Sequence, residues 1–276
     1  MPNYKEFKLY NGEVTVHFDE VNHAYWLVED GKKRRIAGVT TFLNIIDKPA
    51  LIPWAVGVTV EYIREHIADL SQSPAELLKL AKEEAARQRD VAKEIGSAIH
   101  AWIESYIKGE DFEMPDDEQV LKGVNSFIEW KDQQNVKLVE SERLLYSKEN
   151  EYMGTADLLL EIDGKKYLGD IKTGNAIYAE TMLQTAAYAQ AYQEETGETL
   201  AGRYVIRISK ESEKEYVARM MKKTKGEGGF PDYKIFEAVE IKTDLASDFA
   251  AFMSAKNLYR WKGPAERSFD AMKNGS

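Results

Sequence analysis

The stretch Tyr152–Gly174, YMGTADLLLEIDGKKYLGDIKTG, decides how this chain is read. Two apolar runs, GTADLLLEI and KKYLGDIK, flank an Asp163–Gly164 pair. That is the pattern of two antiparallel strands joined by a two-residue turn whose central positions both need a positive φ. Side chains alternate faces along a strand, so Asp170 and Lys172 emerge together and Ile171 points the other way. With the turn at 163–164, the residue opposite Asp170 is Asp157, which makes the two acids cross-strand neighbours. Adjacent carboxylates repel, and a divalent cation between them keeps both charged at least cost; hard oxygen ligands favour Mg2+ or Mn2+. A lysine one pleat away then stands where it can orient a nucleophile or stabilise charge developing on a phosphate. Taken alone, a D-x-K tripeptide is far more often a surface charge pair, so the surroundings must decide.

Upstream, residues 13–29 (EVTVHFDEVNHAYWLVE) alternate as a hairpin turning at Asp19–Asn22, with Gly31 ending its second strand. GVTTFLNIIDKPALIPWAVG predicts a short helix broken at Pro49 and Pro53, then another helix to about Leu70. Ser73, Pro74 and Glu76 mark a helix start, and apolar residues at helical spacing carry it to about Ile107, in one piece or in two with a break at Arg87–Asp90. Residues 119–133 predict a further helix, and VKLVESERLLY from Val136 the first of three strands. After Gly174 come a helix (YAETMLQTAAYAQAYQEE), a strand (GRYVIRIS) and a mobile Gly-rich loop over Lys222–Gly229. A last strand (YKIFEAVEI), a helix from Asp244 to Tyr259 and a frayed tail from Lys262 complete the expectation.

The 276 residues leave room for one α/β domain with a peripheral extension or for two small domains, and 43% hydrophobic with 30% charged residues is an ordinary globular composition. The absence of cysteine excludes disulfides, thiolate zinc sites, cysteine-ligated Fe–S clusters and cysteine nucleophiles, so any metal is held by oxygen and nitrogen. No apolar run reaches the length of a membrane span, and the N-terminus lacks the order of a signal peptide, so the expected location is cytoplasmic. A net charge of −10 argues against a uniformly basic polyanion binder while leaving room for a local basic groove.

Gly154-x-x-Asp157, the hairpin, Asp170-x-Lys172-Thr173-Gly174 and Gln184-x-x-x-Tyr188 on the next helix together resemble the PD-(D/E)xK nuclease superfamily, in particular its RecB-like exonuclease branch. The resemblance covers roughly residues 95–208. It extends to His100 in IGSAIHAWIE, which matches the branch's upstream helical histidine, and to an acid on the preceding strand, Glu142 in VESERLL, with Glu140 on the same face as its alternative. It implies an α/β fold with a restriction-endonuclease-like α-β-β-β-α-β core over residues 91–276, a central mixed sheet flanked by helices, behind an N-terminal hairpin and helical extension at 1–90. It also implies Mg2+ or Mn2+ held by His100, Asp157, Asp170 and the backbone carbonyl of Ile171. Lys172 then positions or activates the attacking water, and Glu142, Gln184 and Tyr188 form the next layer. Without cysteines the chain differs from the Fe–S-bearing families of the branch, and without a G-x-x-x-x-G-K-[ST] loop it carries no helicase motor. It is most similar to the stand-alone members, the phage exonucleases and the mitochondrial genome maintenance exonuclease type.

The function expected from this resemblance is metal-dependent exonucleolytic hydrolysis of DNA from single- or double-stranded ends, in recombination, repair or phage DNA metabolism. A recombination or single-strand-binding protein is the partner class it suggests. Two other readings stay open: an inactive nucleic-acid-binding module, and a structure- or sequence-specific endonuclease of the same fold. Arg203 and Arg207 on the strand after the Q-x-x-x-Y helix, and Lys222, Lys223 and Lys225 in the loop, are candidate phosphate contacts. Trp54, Trp102 and Trp130 sit in apolar helix patterns that predict core positions over base stacking. His17, His23 and His66 are read as core or surface histidines without a role.

Overall fold

A computed structural model of the chain describes residues 4–68, 73–110, 113–227 and 229–273. Four strands come first: β1 (Tyr4–Leu9), β2 (Val14–Asp19), β3 (Ala24–Glu29) and β4 (Lys32–Ile36). Helices α1 (Val39–Leu43), α2 (Leu51–His66), α3 (Pro74–Lys108) and α4 (Glu118–Gln133) follow. Then come β5 (Lys137–Ser147), β6 (Tyr152–Ile162), β7 (Lys165–Thr173), α5 (Glu180–Thr196) and β8 (Gly202–Ile208). The chain ends with α6 (Glu213–Lys223), β9 (Phe236–Glu240) and α7 (Leu245–Lys273).

The hairpin forms as its turn residues dictate. Asp163 (φ 50°) and Gly164 (φ 72°) are both left-handed, and β6 and β7 pair antiparallel from Ile162↔Lys165 to Leu158↔Gly169. β5 pairs antiparallel with β6, while β8 runs parallel to β7 and therefore needs a crossover, which α5 supplies. β9 closes a mixed sheet of order β5-β6-β7-β8-β9. Helices cover both faces. Ile99 and Ile103 of α3 and Val124 and Phe127 of α4 pack with Leu158, Leu160, Ile171 and Ile206. On the opposite face Phe42 of α1, Ala187 and Tyr192 of α5 and Phe252 of α7 pack with Leu159 and Leu168. The alternation puts Ile171 toward α3 and α4 and leaves Asp170 and Lys172 for the α5 side.

The N-terminal sheet is larger than the single hairpin expected. β2 and β3 pair as read, but β1 and β4 extend them into an antiparallel sheet of order β1-β2-β3-β4. The KKRRI run of β4 carries almost no apolar alternation, and YKEFKL of β1 little more, so neither announces itself. This sheet is tied to the core where Gly38 bridges Met153, and Leu27 and Ile36 pack with Leu144 and Tyr146.

Two helices, α2 and α7, differ from expectation, and α3 takes one of its two expected forms. α3 is one piece of 35 residues without a break at Arg87–Asp90; Ser73 caps it by accepting from the Glu76 N–H, and Gly109 (φ 66°) ends it. Pro53 does not break α2, because it lies in the helix's first turn, where a missing N–H costs nothing; α2 ends at His66, and Leu70 is outside the described residues. α7 continues past Tyr259 through Pro264 to Lys273, so the tail from Lys262 expected to fray is helical instead. The segment Lys222–Gly229 begins inside α6, which the capping box of Ser212 and Glu215 starts.

Candidate metal centre

The β6–β7 pairing stops at Leu158↔Gly169, one residue short of the two acids. Continued by one step, the same register sets Asp157 against Asp170, as counting from the turn predicts. In the gap Asp157 Oδ2 accepts a 2.6 Å hydrogen bond from the Ile171 N–H in place of a ladder partner. A strand residue sends its N–H and C=O to the same edge, so the Ile171 carbonyl faces this gap too.

β5 brings the third acid. A bulge between Leu138 and Glu140 shifts its register on β6, and Glu142, between the pairs Ser141↔Leu158 and Arg143↔Ala156, stands against Asp157. Glu142 is left-handed (φ 49°), a conformation that costs a non-glycine residue about 1–2 kcal/mol. It turns its carboxylate to α3, where Oε1 lies 3.9 Å from His100 Nδ1. Glu140 is taken by Arg143 at 2.7 Å, so of the two candidate acids it is Glu142 that joins the site. One ligand-capable atom each of His100, Glu142 and Asp157 lies within 4.8 Å of the others. Glu142 thus joins two of the expected ligands directly, whereas the sequence reading put it one layer out and Asp170 in its place.

Asp170 is fully buried (0% exposed) and tied to its own strand's lysine, with Oδ2 2.6 Å from Lys172 Nζ. Apart from that ammonium no described residue donates to it, and Oδ1 has no partner among the described residues. Burial pushes its carboxyl from the ordinary 3.8 up to about 6; the Lys172 ammonium opposes the shift and Asp157 adds to it. Burial also raises Asp157, against the pull of His100 and Lys172. Burial draws Lys172 down, but the Asp170 and Asp157 carboxylates outweigh it and hold the amine above its ordinary value. The same contest at His100 ends with its imidazole raised by Glu142 and Asp157.

Two glycines explain why the motif needs them. A Cβ on Gly154 would lie 2.3 Å from Tyr188 Cε1, so the glycine admits the buried Tyr188 ring against β6. The Tyr188 hydroxyl accepts a 3.1 Å hydrogen bond from Gln184 Nε2, and burial keeps that phenol protonated. A Cβ on Gly96 would lie 2.6 Å from Thr173 Oγ1, which lets α3 close on the end of β7 and deliver His100 one turn later.

The acids open into a cleft of about 840 Å3 between the two sheets. Glu142, Asp157, Gln184 and Tyr188 line one side, and Phe18, His23 and Tyr25 of the N-terminal sheet line the other. Sequence reasoning missed Tyr25 and gave His23 no role; no local signal ties β2 and β3 to strands more than a hundred residues away.

The structure corrects two expectations about substrate contacts. Arg203 is buried against Asp248 (2.7 Å), the Met182 carbonyl and the Thr243 carbonyl. Arg207 is buried against Glu237 (2.6 Å) and the carbonyls of Gly174 and Lys234. Both guanidinium groups serve the fold, because a charge taken out of water must be paired, and neither is free for phosphate. Lys222, Lys223 and Lys225 are exposed at and after the end of α6, and none of them borders the cleft around the acids. Trp102 is in the core and Trp130 packs at its edge, but Trp54 is 41% exposed on α2, a helix with no buried residue, so the core position expected for it does not hold.

Among the described residues no helix is long and apolar enough to cross a membrane. No protein-family model matches the chain, and no curated protein matches it. Among solved structures it is similar to one titled "Crystal structure of SSO0001", with 15% identity over 80% of this chain and 81% of that one and a TM-score of 0.29, too low to carry an argument.

Proposed function

We propose that this chain is a metal-dependent nuclease with a restriction-endonuclease-like core, acting on DNA ends. The observation that carries the reading is the buried Asp170 beside Asp157 at the end of the split hairpin, its Oδ1 without a partner among the described residues and its Oδ2 held only by the Lys172 ammonium. A buried carboxylate pair left in that state is costly unless a cation completes it. The donor set fits a hard divalent ion: His100, Glu142 and Asp157 bring nitrogen and carboxylate oxygen together without a thiolate, and Asp170 and the Ile171 carbonyl would be further oxygen ligands. Bound there, Mg2+ or Mn2+ supplies charge neutralisation at the phosphodiester and a nucleophile at neutral pH.

The chain's own groups divide the remaining work. Lys172, held protonated by Asp170 and Asp157, acts as a positive charge toward a developing phosphorane oxygen and not as a base. Tyr188 accepts from Gln184 and so keeps its own O–H proton to donate to a phosphate oxygen. The order of elements, α4 then β5-β6-β7, α5 and β8, and the Gln184–Tyr188 pair on the crossover helix support the end-processing branch over a sequence-specific endonuclease.

The test follows 5′- and 3′-labelled linear single- and double-stranded DNA and closed circular DNA with Mg2+, with Mn2+ and with EDTA, alongside Lys172→Ala. Metal-dependent loss of linear DNA that spares circles and vanishes in the variant is the expected result. Full activity of Lys172→Ala, or activity in EDTA, sinks the assignment; binding without cleavage under every condition transfers it to an inactive binding module.

A further inference from the structure

The structure points to a base-stacking ledge on the N-terminal sheet: we infer that Phe18, His23 and Tyr25 seat one base of a single-stranded end beside the acidic cluster. The inference rests on the nuclease reading for its ligand class.

Three observations carry it. Phe18 and Tyr25 are cross-strand partners whose rings stack at 5.0 Å and 22°, and the His23 ring stands edge-on to Phe18 at 6.0 Å. Phe18 and Tyr25 are only partly buried and His23 is exposed at the β2–β3 turn, so the group presents aromatic surface to the cleft. The ledge is also anchored to the site. The Tyr25 hydroxyl lies 3.2 Å from Thr155 Oγ1, and Thr155 shares a strand face with Asp157 at roughly 7 Å along β6, about the length of one extended nucleotide. Gly38 admits the Tyr25 ring, where a Cβ would come within 3.1 Å of it, and the same residue bridges Met153. Ledge and acids therefore form one unit.

Charge decides what the cleft can hold. Its cations are paired: Lys5 with Glu20 at 2.6 Å, Lys8 with Glu6 at 3.3 Å, Lys108 with Glu104 at 2.5 Å and Arg143 with Glu140 at 2.7 Å. With a net charge of −10, the chain offers phosphates little free positive charge there, while aromatic faces accept any base. Bases inside a duplex keep their faces stacked on each other, so the ledge selects an unpaired end, with weak sequence preference and a shallow salt dependence.

The experiment measures binding of the full chain in EDTA to labelled single-stranded oligonucleotides carrying one abasic nucleotide at successive positions from the end. Wild type should lose roughly tenfold in affinity at one position near the end and little elsewhere. Phe18→Leu and His23→Ala should bind the intact strand about tenfold more weakly and show no further loss at that position. Equal abasic penalties in wild type and variants, unchanged affinity in folded variants, equal affinity for duplex, or no single-strand binding by wild type each overturn the ledge. If Phe18→Leu does not fold, His23→Ala at the exposed turn decides alone. Cleavage with Mn2+ is scored separately: loss of the nuclease reading shows there, and loss of the ledge shows in the abasic scan.

Discussion

Replacing Gly154 with alanine tests whether the G-x-x-D motif exists to admit Tyr188. The added methyl carbon would lie 2.3, 3.0 and 3.2 Å from three atoms of the Tyr188 ring, inside any van der Waals contact. The ring has little room to yield, because it is buried among Leu145, Ala156 and Ala187 and its hydroxyl is held by Gln184. Overpacking of this kind costs about 1–3 kcal/mol. Against it, alanine in a strand is favoured over glycine by roughly 0.5–1 kcal/mol through the unfolded chain. Gly154→Ala should therefore lower stability by up to about 2.5 kcal/mol, read as a lower urea midpoint at unchanged slope. In a Tyr188→Ala background the clash disappears and only the entropic gain remains, so the same change should become neutral or stabilising by up to about 1 kcal/mol. An equal cost of Gly154→Ala in both backgrounds would refute the reasoning.

Three further outcomes follow from the site. Asp170 binds its proton more tightly folded than unfolded, so in EDTA that contribution to stability is complete below about pH 4 and is lost as pH rises through about 6. Asp170→Asn should raise the urea midpoint at pH 8, on the order of 3 kcal/mol at most, and have little effect at pH 4; the opposite sign refutes the burial argument. Glu142→Gly should relieve the left-handed backbone and gain roughly 1 kcal/mol of stability in EDTA, while losing the thermal upshift that Mn2+ gives wild type. Arg203→Met should cost about 3–5 kcal/mol by leaving Asp248 unpaired in a partly buried site, with DNA affinity of the folded fraction unchanged; a selective loss of DNA binding would restore Arg203 as a phosphate contact.

The core of the site was legible because its rules are local. Asp157, Asp170 and Lys172 lie within 16 residues of one another, and a two-residue turn with strict alternation sets both their register and their face. The Ser73 cap and the α5 helix between parallel strands follow from equally short-range chemistry. Arg203 and Arg207 misled because alternation on a strand does not say which side is covered; Asp248 and Glu237, which bury them, come 45 and 30 residues later. β1 and β4 were missed because strands too polar to alternate reveal themselves only through their partners.

By itself the sequence determined the hairpin, the pairing of its acids and the helix that follows, since contiguous residues and backbone geometry suffice for these. Only the tertiary structure decided that Glu142 and not Glu140 turns to His100, through a bulge and a strained backbone that no residue type announces. Only it decided that the N-terminal sheet faces the acids, through a contact between Tyr25 and Thr155 that spans 130 residues of chain. Long-range choices of this kind depend on which packed surfaces meet, and that is a property of the whole assembled core rather than of any segment within it.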